Sequence, residues 1–140
     1  MLIFGKDLTK MKIIFIYTLG WSGMAILAIL NGMVREKAYA KYMSELSAHH
    51  LSTLSALIVF SVYIVGLSSF CRIESTAQAA AIGGIWFVMT VGFEFVFGRY
   101  VVGHSWERLL RDYNILEGRV WILVLVWIAA APYVVFSLGA

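Results

Sequence analysis

An acid inside hydrocarbon is the first feature of this chain that could do chemistry. Glu94 sits in Val91-Gly92-Phe93-Glu94-Phe95-Val96-Phe97-Gly98-Arg99-Tyr100, and from Ala79 to Gly98 it is the only residue with a formal charge. A charged side chain at the centre of a membrane helix costs roughly 2.5–3.5 kcal/mol on insertion scales, so Glu94 is expected to face protein groups and not lipid. The candidate partners are Asn31, Arg35, His50, Ser52 and Arg99. Asn31 and Arg35 are four apart and share a helix face. Arg99 follows Glu94 by five, about 140° around a helix of 3.6 residues per turn, which makes it a poor partner on the same helix. Glu94 also lies about 12 Å below the end of its apolar run, so Arg35 must reach down or its helix must continue past it. Two uses of such a group stay open. One is an ion pair or protonated acid that pins helices together, with Asn31 bonding a neighbouring helix and Arg35 snorkelling to the headgroups. The other is a proton or cation site, or a site for a substrate headgroup.

Other chemistries find weaker support. His49, His50 and His104 fall toward one face, but a metal or haem site needs them inward and level, and their spacing does not demand it. There is no HExxH pattern and no cysteine ligand set. Gly103-His104-Ser105-Trp106 lacks the second glycine of a nucleophile elbow, and no phosphate-cradling glycine loop is present. The one cysteine, Cys71, excludes an internal disulfide and reads as a small residue at a helix end. No metal and no cofactor are expected.

The elements that must position these groups follow from composition. The chain has 140 residues, 61% hydrophobic and 14% charged, with a mean hydropathy of +0.86. A soluble domain carries about 25% charged residues. Four apolar runs stand out, at about 13–34, 51–71, 79–102 and 119–138. Each is near the ~20 residues a helix needs to cross ~30 Å of hydrocarbon. Backbone groups in lipid must bond internally, so the runs are predicted to be helices. The basic n-region of Lys6, Lys10 and Lys12 and the sequence Ala38-Tyr39-Ala40 imitate a signal peptide, but the 13–34 run outlasts an h-region of about 7–15 residues. A retained first span is expected. The net charge of +3 is spread over short loops, which suits lipid headgroups and not nucleic acid.

The connections are unequal. Residues 35–50 and 103–118 are long, 72–78 short. An even number of spans puts the long connections on one face and makes helices 2 and 3 a hairpin. Arg35, Lys37, Lys41, Arg99, Arg108, Arg111 and Arg119 lie on the long-loop face, against Lys6, Lys10, Lys12 and Arg72 on the other. Positive-inside counting then places the long loops in the cytoplasm and both termini outside.

In the first long loop, Tyr39, Tyr42, Met43 and Leu46 form an i, i+3, i+4, i+7 stripe, predicting an amphipathic helix that lies in the interface or continues helix 1. In the second, Ser105 can cap a short helix over Trp106–Tyr113. Trp106, Tyr113 and Arg119 are the expected interfacial anchors. Small residues at Gly20, Ser22, Gly23 and Ala25, and the pairs Ala79/Gly83 and Ala80/Gly84, predict close helix contacts within or between chains. Pro132 removes one backbone bond late in the fourth run.

Four motifs carry a family resemblance: Asn31-Gly32-x-x-Arg35-Glu36, His50-x-Ser52-Thr53, Phe93-Glu94-Phe95-x-x-Gly98, and Gly103-x-Ser105-Trp106-x-x-Leu109-Leu110-x-Asp112-Tyr113-Asn114-x-x-x-Gly118-Arg119-x-Trp121. Together, across about residues 20 to 133, the chain resembles a family of small bacterial four-helix integral membrane proteins with no assigned activity. The resemblance implies a polytopic bacterial protein and carries over no catalytic role.

The expectation is therefore an all-α, polytopic membrane protein: one transmembrane domain over 1–140, four transmembrane helices in two hairpins, with short amphipathic interfacial helices. Its expected function is that of a non-enzymatic, transporter-like or accessory subunit of the cell (inner) membrane, with a buried polar site around Glu94. The bilayer is its first partner, and a second copy or a larger membrane complex the next. A membrane-embedded enzyme acting on a lipid or prenyl headgroup is the alternative, and a haem-binding electron carrier the third reading.

Overall fold

The computed structural model describes residues 2–111, 114 and 119–139. Every regular element among them is helical: α1 (Leu2–Val34), α2 (Glu45–Phe70), α3 (Thr76–Tyr100), α4 (Trp106–Arg111) and α5 (Ile122–Ser137). Three helices are long and apolar enough to cross a membrane, the first counted over Leu8–Tyr42. The fourth apolar helix, α5, has 16 residues and spans about 24 Å at 1.5 Å per residue.

The helix ends differ from those expected. α1 begins well before residue 13 and does not stop at Val34. It passes into a π-helical turn, Arg35–Tyr39, and a 3₁₀ turn, Ala40–Tyr42. Ser44 then caps α2, its side chain accepting the Ser47 N–H. The expected amphipathic stripe is thus divided between two elements. Tyr39 and Tyr42 end the extension of α1, Leu46 opens α2, and the connection between them is almost entirely helical. Ser75 caps α3 by accepting the Gln78 N–H, and Ser105 accepts the Arg108 N–H at the start of α4. α3 ends ahead of Gly103, which takes φ +83; only glycine adopts this left-handed conformation without cost.

Inward faces repeat every three or four residues. On α2 they are Ala48, His49, Ser52, Thr53, Ala56, Phe60, Ile64 and Ser68. On α3 they are Gln78, Ala79, Ile82, Gly83, Trp86 and Thr90. With Tyr17 and Met24 of α1 and Val124, Ile128 and Ala131 of α5 they build one core. α1 packs on α2 and α3, and α5 packs on α2 and α3. Helices α2 and α3 make little direct contact despite their short connection, so they do not form the side-by-side hairpin expected of them. The two packed consecutive pairs are α1–α2 and α3–α5.

Lipid chains are as apolar as leucine, so packing and hydrogen bonds must hold such helices together. At Gly83 an added Cβ would lie 2.0 Å from the Ala129 carbonyl oxygen, which brings the α3 and α5 backbones into contact. Gly20 and Gly23 of α1 receive Tyr63 and Leu67 of α2, and Tyr63 Oη donates to the Gly20 carbonyl. Trp86 Nε1 donates to the Tyr17 carbonyl at 2.7 Å, and Trp127 Nε1 to Ser61 Oγ at 3.0 Å. Gly20, Gly23 and the Ala79/Gly83 pair are used within the chain, whereas Ser22 and the Ala80/Gly84 pair are exposed on the outside of the bundle. This close packing fills the half of the bundle nearest the α2–α3 connection.

Candidate functional site

The other half is hollow. As α3 runs on past Thr90, its inward face becomes Phe93, Glu94 and Phe97, and these side chains line a cavity of about 760 Å³. α1 contributes Trp21, Met24, Ala28, Asn31 and Arg35; α2 contributes His49, Ser52 and Phe60; Trp121 and Ile128 close the side toward α5. His104 and Arg108 stand at the mouth with Glu36 and Lys37.

Glu94 Oε1 accepts a hydrogen bond from Trp121 Nε1 at 2.6 Å. A carboxylate accepting from a donor at this length makes a charge-assisted bond, about twice as strong as a neutral one. Trp21 Nε1 donates to Thr90 Oγ1 at 3.0 Å, one turn before Glu94, and so fixes the Trp21 ring against α3. Phe93 meets that ring edge-on with centroids 5.6 Å apart, and Phe97 stacks on Phe93 at 5.1 Å. The acid therefore shares its cavity with two indoles, of Trp21 and Trp121, and four phenyl rings, of Phe60, Phe93, Phe95 and Phe97.

Asn31, Ser52 and Ser55 form a polar knot between α1 and α2. Asn31 Nδ2 donates to the Ser52 carbonyl and to Ser52 Oγ, both at 3.0 Å, and Ser55 Oγ donates to Asn31 Oδ1 at 2.7 Å. Ser52 is 1% exposed, and the knot satisfies its hydroxyl where water does not reach.

The structure assigns several expected site residues to other places. Arg35 lines the cavity, but its guanidinium bonds the adjacent Glu36 at 3.2 Å. His50 is exposed. The inward histidine is His49, whose Nε2 accepts the Val120 N–H at 3.0 Å. An imidazole accepting at Nε2 is neutral. Arg99 is exposed, lies over the Trp106 ring at 5.5 Å and donates to the His104 carbonyl at 3.4 Å. Trp106 is about half exposed at 47% and also stacks on Phe95, in keeping with a position at the surface. Arg119 corrects the expectation of an interfacial anchor: it is 9% exposed, and its Nη2 bonds Glu45 Oε1 at 3.0 Å. Tyr113 and Asp112 lie outside the described residues.

Residues 119–121 are the part of the site that sequence reasoning did not foresee. Arg119 is tied to Glu45 of α2, the Val120 N–H to His49 of α2, and Trp121 to Glu94 of α3. Three consecutive residues thereby join both long helices where the cavity closes. A signal for His49 existed: the α2 series Phe60, Ala56, Ser52 continues backward by three or four to residues 48 and 49, not 50. No comparable signal pointed to Trp121, because a tryptophan near a span end more often sits among headgroups.

Among the described residues, no group of three or more histidine, cysteine, aspartate or glutamate side chains is placed to hold a metal ion. Compared with known proteins, the chain shows no significant match to a family model, a curated protein or a solved structure.

Proposed function

We propose that this chain is a four-pass protein of the cell (inner) membrane that binds a small amphiphile in the cavity around Glu94 and carries out no chemistry on it. The observation that carries the reading is the graded lining. Aromatic and aliphatic side chains make up most of the lining, with Glu94 set among them, and Arg35, Glu36, Lys37, His104 and Arg108 are grouped at the long-loop end. A cavity of this volume falls within the ~300–1,000 Å³ typical of small-molecule sites. The hollow lies at the long-loop end of the bundle, which positive-inside counting places toward the cytoplasm. α5, though short, is apolar throughout and packs along α3, which supports a fourth crossing. A transporter-like or accessory role is the reading that fits a site built mainly from apolar and aromatic side chains. The groups that an enzyme acting on headgroups would use are already held, Glu94 by Trp121 and His49 by Val120, so the catalytic alternative is the weaker. Assembly with a second copy or a larger complex would have the exposed Ala80/Gly84 pair of α3 for close contact, the Ala79/Gly83 pair being used within the chain.

The test is photoaffinity labelling of the protein in nanodiscs with a diazirine-bearing single-chain amphiphile, adducts being mapped by mass spectrometry. Adducts are expected to cluster on residues 21–35 and 90–98, and to fall several-fold in Ala28→Trp, which fills the cavity, with the melting temperature retained. Adducts spread evenly over the outward residues Phe15, Ile58 and Val88, unchanged by Ala28→Trp, would refute the reading.

A further inference from the structure

We infer that the amphiphile is a lipophilic organic cation, an ammonium or phosphonium centre carrying apolar or aromatic groups, bound against Glu94 and the rings of Trp21, Phe93 and Phe97. The inference rests on the reading of the cavity as a binding site and adds the sign of the ligand's charge.

The charged and titratable groups that line or border the cavity among the described residues can be taken in turn. At the mouth, Arg35 is neutralised by Glu36 at 3.2 Å. Lys37 and Arg108 are exposed, where water and salt screen them. His49 accepts at Nε2 and is neutral. Arg119 faces away from the cavity lining toward Glu45. His104 lines the mouth, half-buried, beside the backbone that Arg99 bonds. Away from these groups, on the same inward face as Phe93 and Phe97, Glu94 is the acid, partly buried and held by Trp121.

An anionic amphiphile that placed its apolar part in this depth would press hydrocarbon against a carboxylate and gain nothing from it. A cation gains from that carboxylate directly. It gains again from the ring faces, whose quadrupoles attract positive charge. The two ring contacts, Trp21 to Phe93 and Phe93 to Phe97, hold these rings in place before the ligand arrives. The bond that Trp21 Nε1 donates to Thr90 Oγ1 does the same for the indole. Preorganised walls reduce the entropy lost on binding. Trp121 keeps the carboxylate oriented by holding Oε1.

Tetraphenylphosphonium and tetraphenylborate are matched in shape and opposite in charge, so they separate charge from hydrophobicity. Binding of each to the purified full chain is measured by equilibrium dialysis in mild detergent, against protein-free micelles. The cation is expected to bind at least tenfold more tightly than the anion. Glu94→Gln, which retains an acceptor for Trp121, should abolish that preference. Phe97→Leu should weaken the cation several-fold and leave the anion unchanged, and so covers the case in which Glu94→Gln does not fold. Equal or tighter binding of tetraphenylborate, or a preference that survives Glu94→Gln in a folded variant, would overturn the inference. If either probe binds and Ala28→Trp weakens it, the cavity reading stands whatever the sign. If Ala28→Trp affects neither, the cavity reading itself fails.

Discussion

Single side chains decide what the hollow end of this bundle can hold, and the two adjacent histidines show how finely. His49 is 5% exposed and receives the Val120 N–H; His50, one residue on, faces out. Replacing His49 with alanine strands a backbone donor, a loss of about 1–3 kcal/mol. His50→Ala should stay within about 0.5 kcal/mol, as surface changes do. Thermal unfolding of both variants in the same detergent checks the difference, and equal melting temperatures would contradict the placement. The inward course of Glu94 was legible in the sequence, because a lone acid in an apolar run has few tolerable orientations. Its bond from Trp121 was not. Neither was the Arg119–Glu45 pair, whose partners are separated by 74 positions and belong to segments with no shared periodicity.

At the scale of elements, helix type and approximate length were readable from hydrophobic runs, whereas ends and neighbours were not. The stripe through Tyr39, Tyr42, Met43 and Leu46 allowed for a helix that continues α1, and α1 does continue through its π-helical and 3₁₀ turns; the break at Met43 and Ser44, which puts Leu46 in α2, was not readable. A short connection suggested that α2 and α3 pack together. Instead each packs on α1 and α5, since the closest backbone approach in α3 is directed at α5 through Gly83. That approach makes a sharp prediction. Gly83→Val must push the Ala129 carbonyl aside and should cost about 1–3 kcal/mol, the range seen for overpacking. Gly84→Val meets nothing within 4 Å and should leave stability nearly unchanged apart from helix propensity. Melting curves of the two variants should separate by several degrees; coincident curves would mean that α3 and α5 do not meet at Gly83.

For the whole molecule, the number and direction of crossings can be read with single cysteines in a Cys71→Ser background. Ser75→Cys, beside the short connection, and Leu138→Cys, after α5, are expected to react with a membrane-impermeant maleimide from one side of the membrane. Lys41→Cys and Glu107→Cys should react from the other side. Were residue 138 labelled together with residue 107, α5 would not cross and the four-pass reading would fall. Reaction of 41 and 107 only after the cells are opened would place the hollow end in the cytoplasm, as the charge count predicts.

The bundle is closely packed at one end and open at the other, and this has a consequence for how the protein can change over time. The interlocking of Tyr17, Trp86 and Gly83 with their neighbours acts as a keel, holding the helices upright without help from the rings around Glu94. Exchanges among Phe93, Phe97 and Ala28 can therefore reshape the recess while the vessel stays afloat. A lineage built on this plan is free to recontour that recess one substitution at a time.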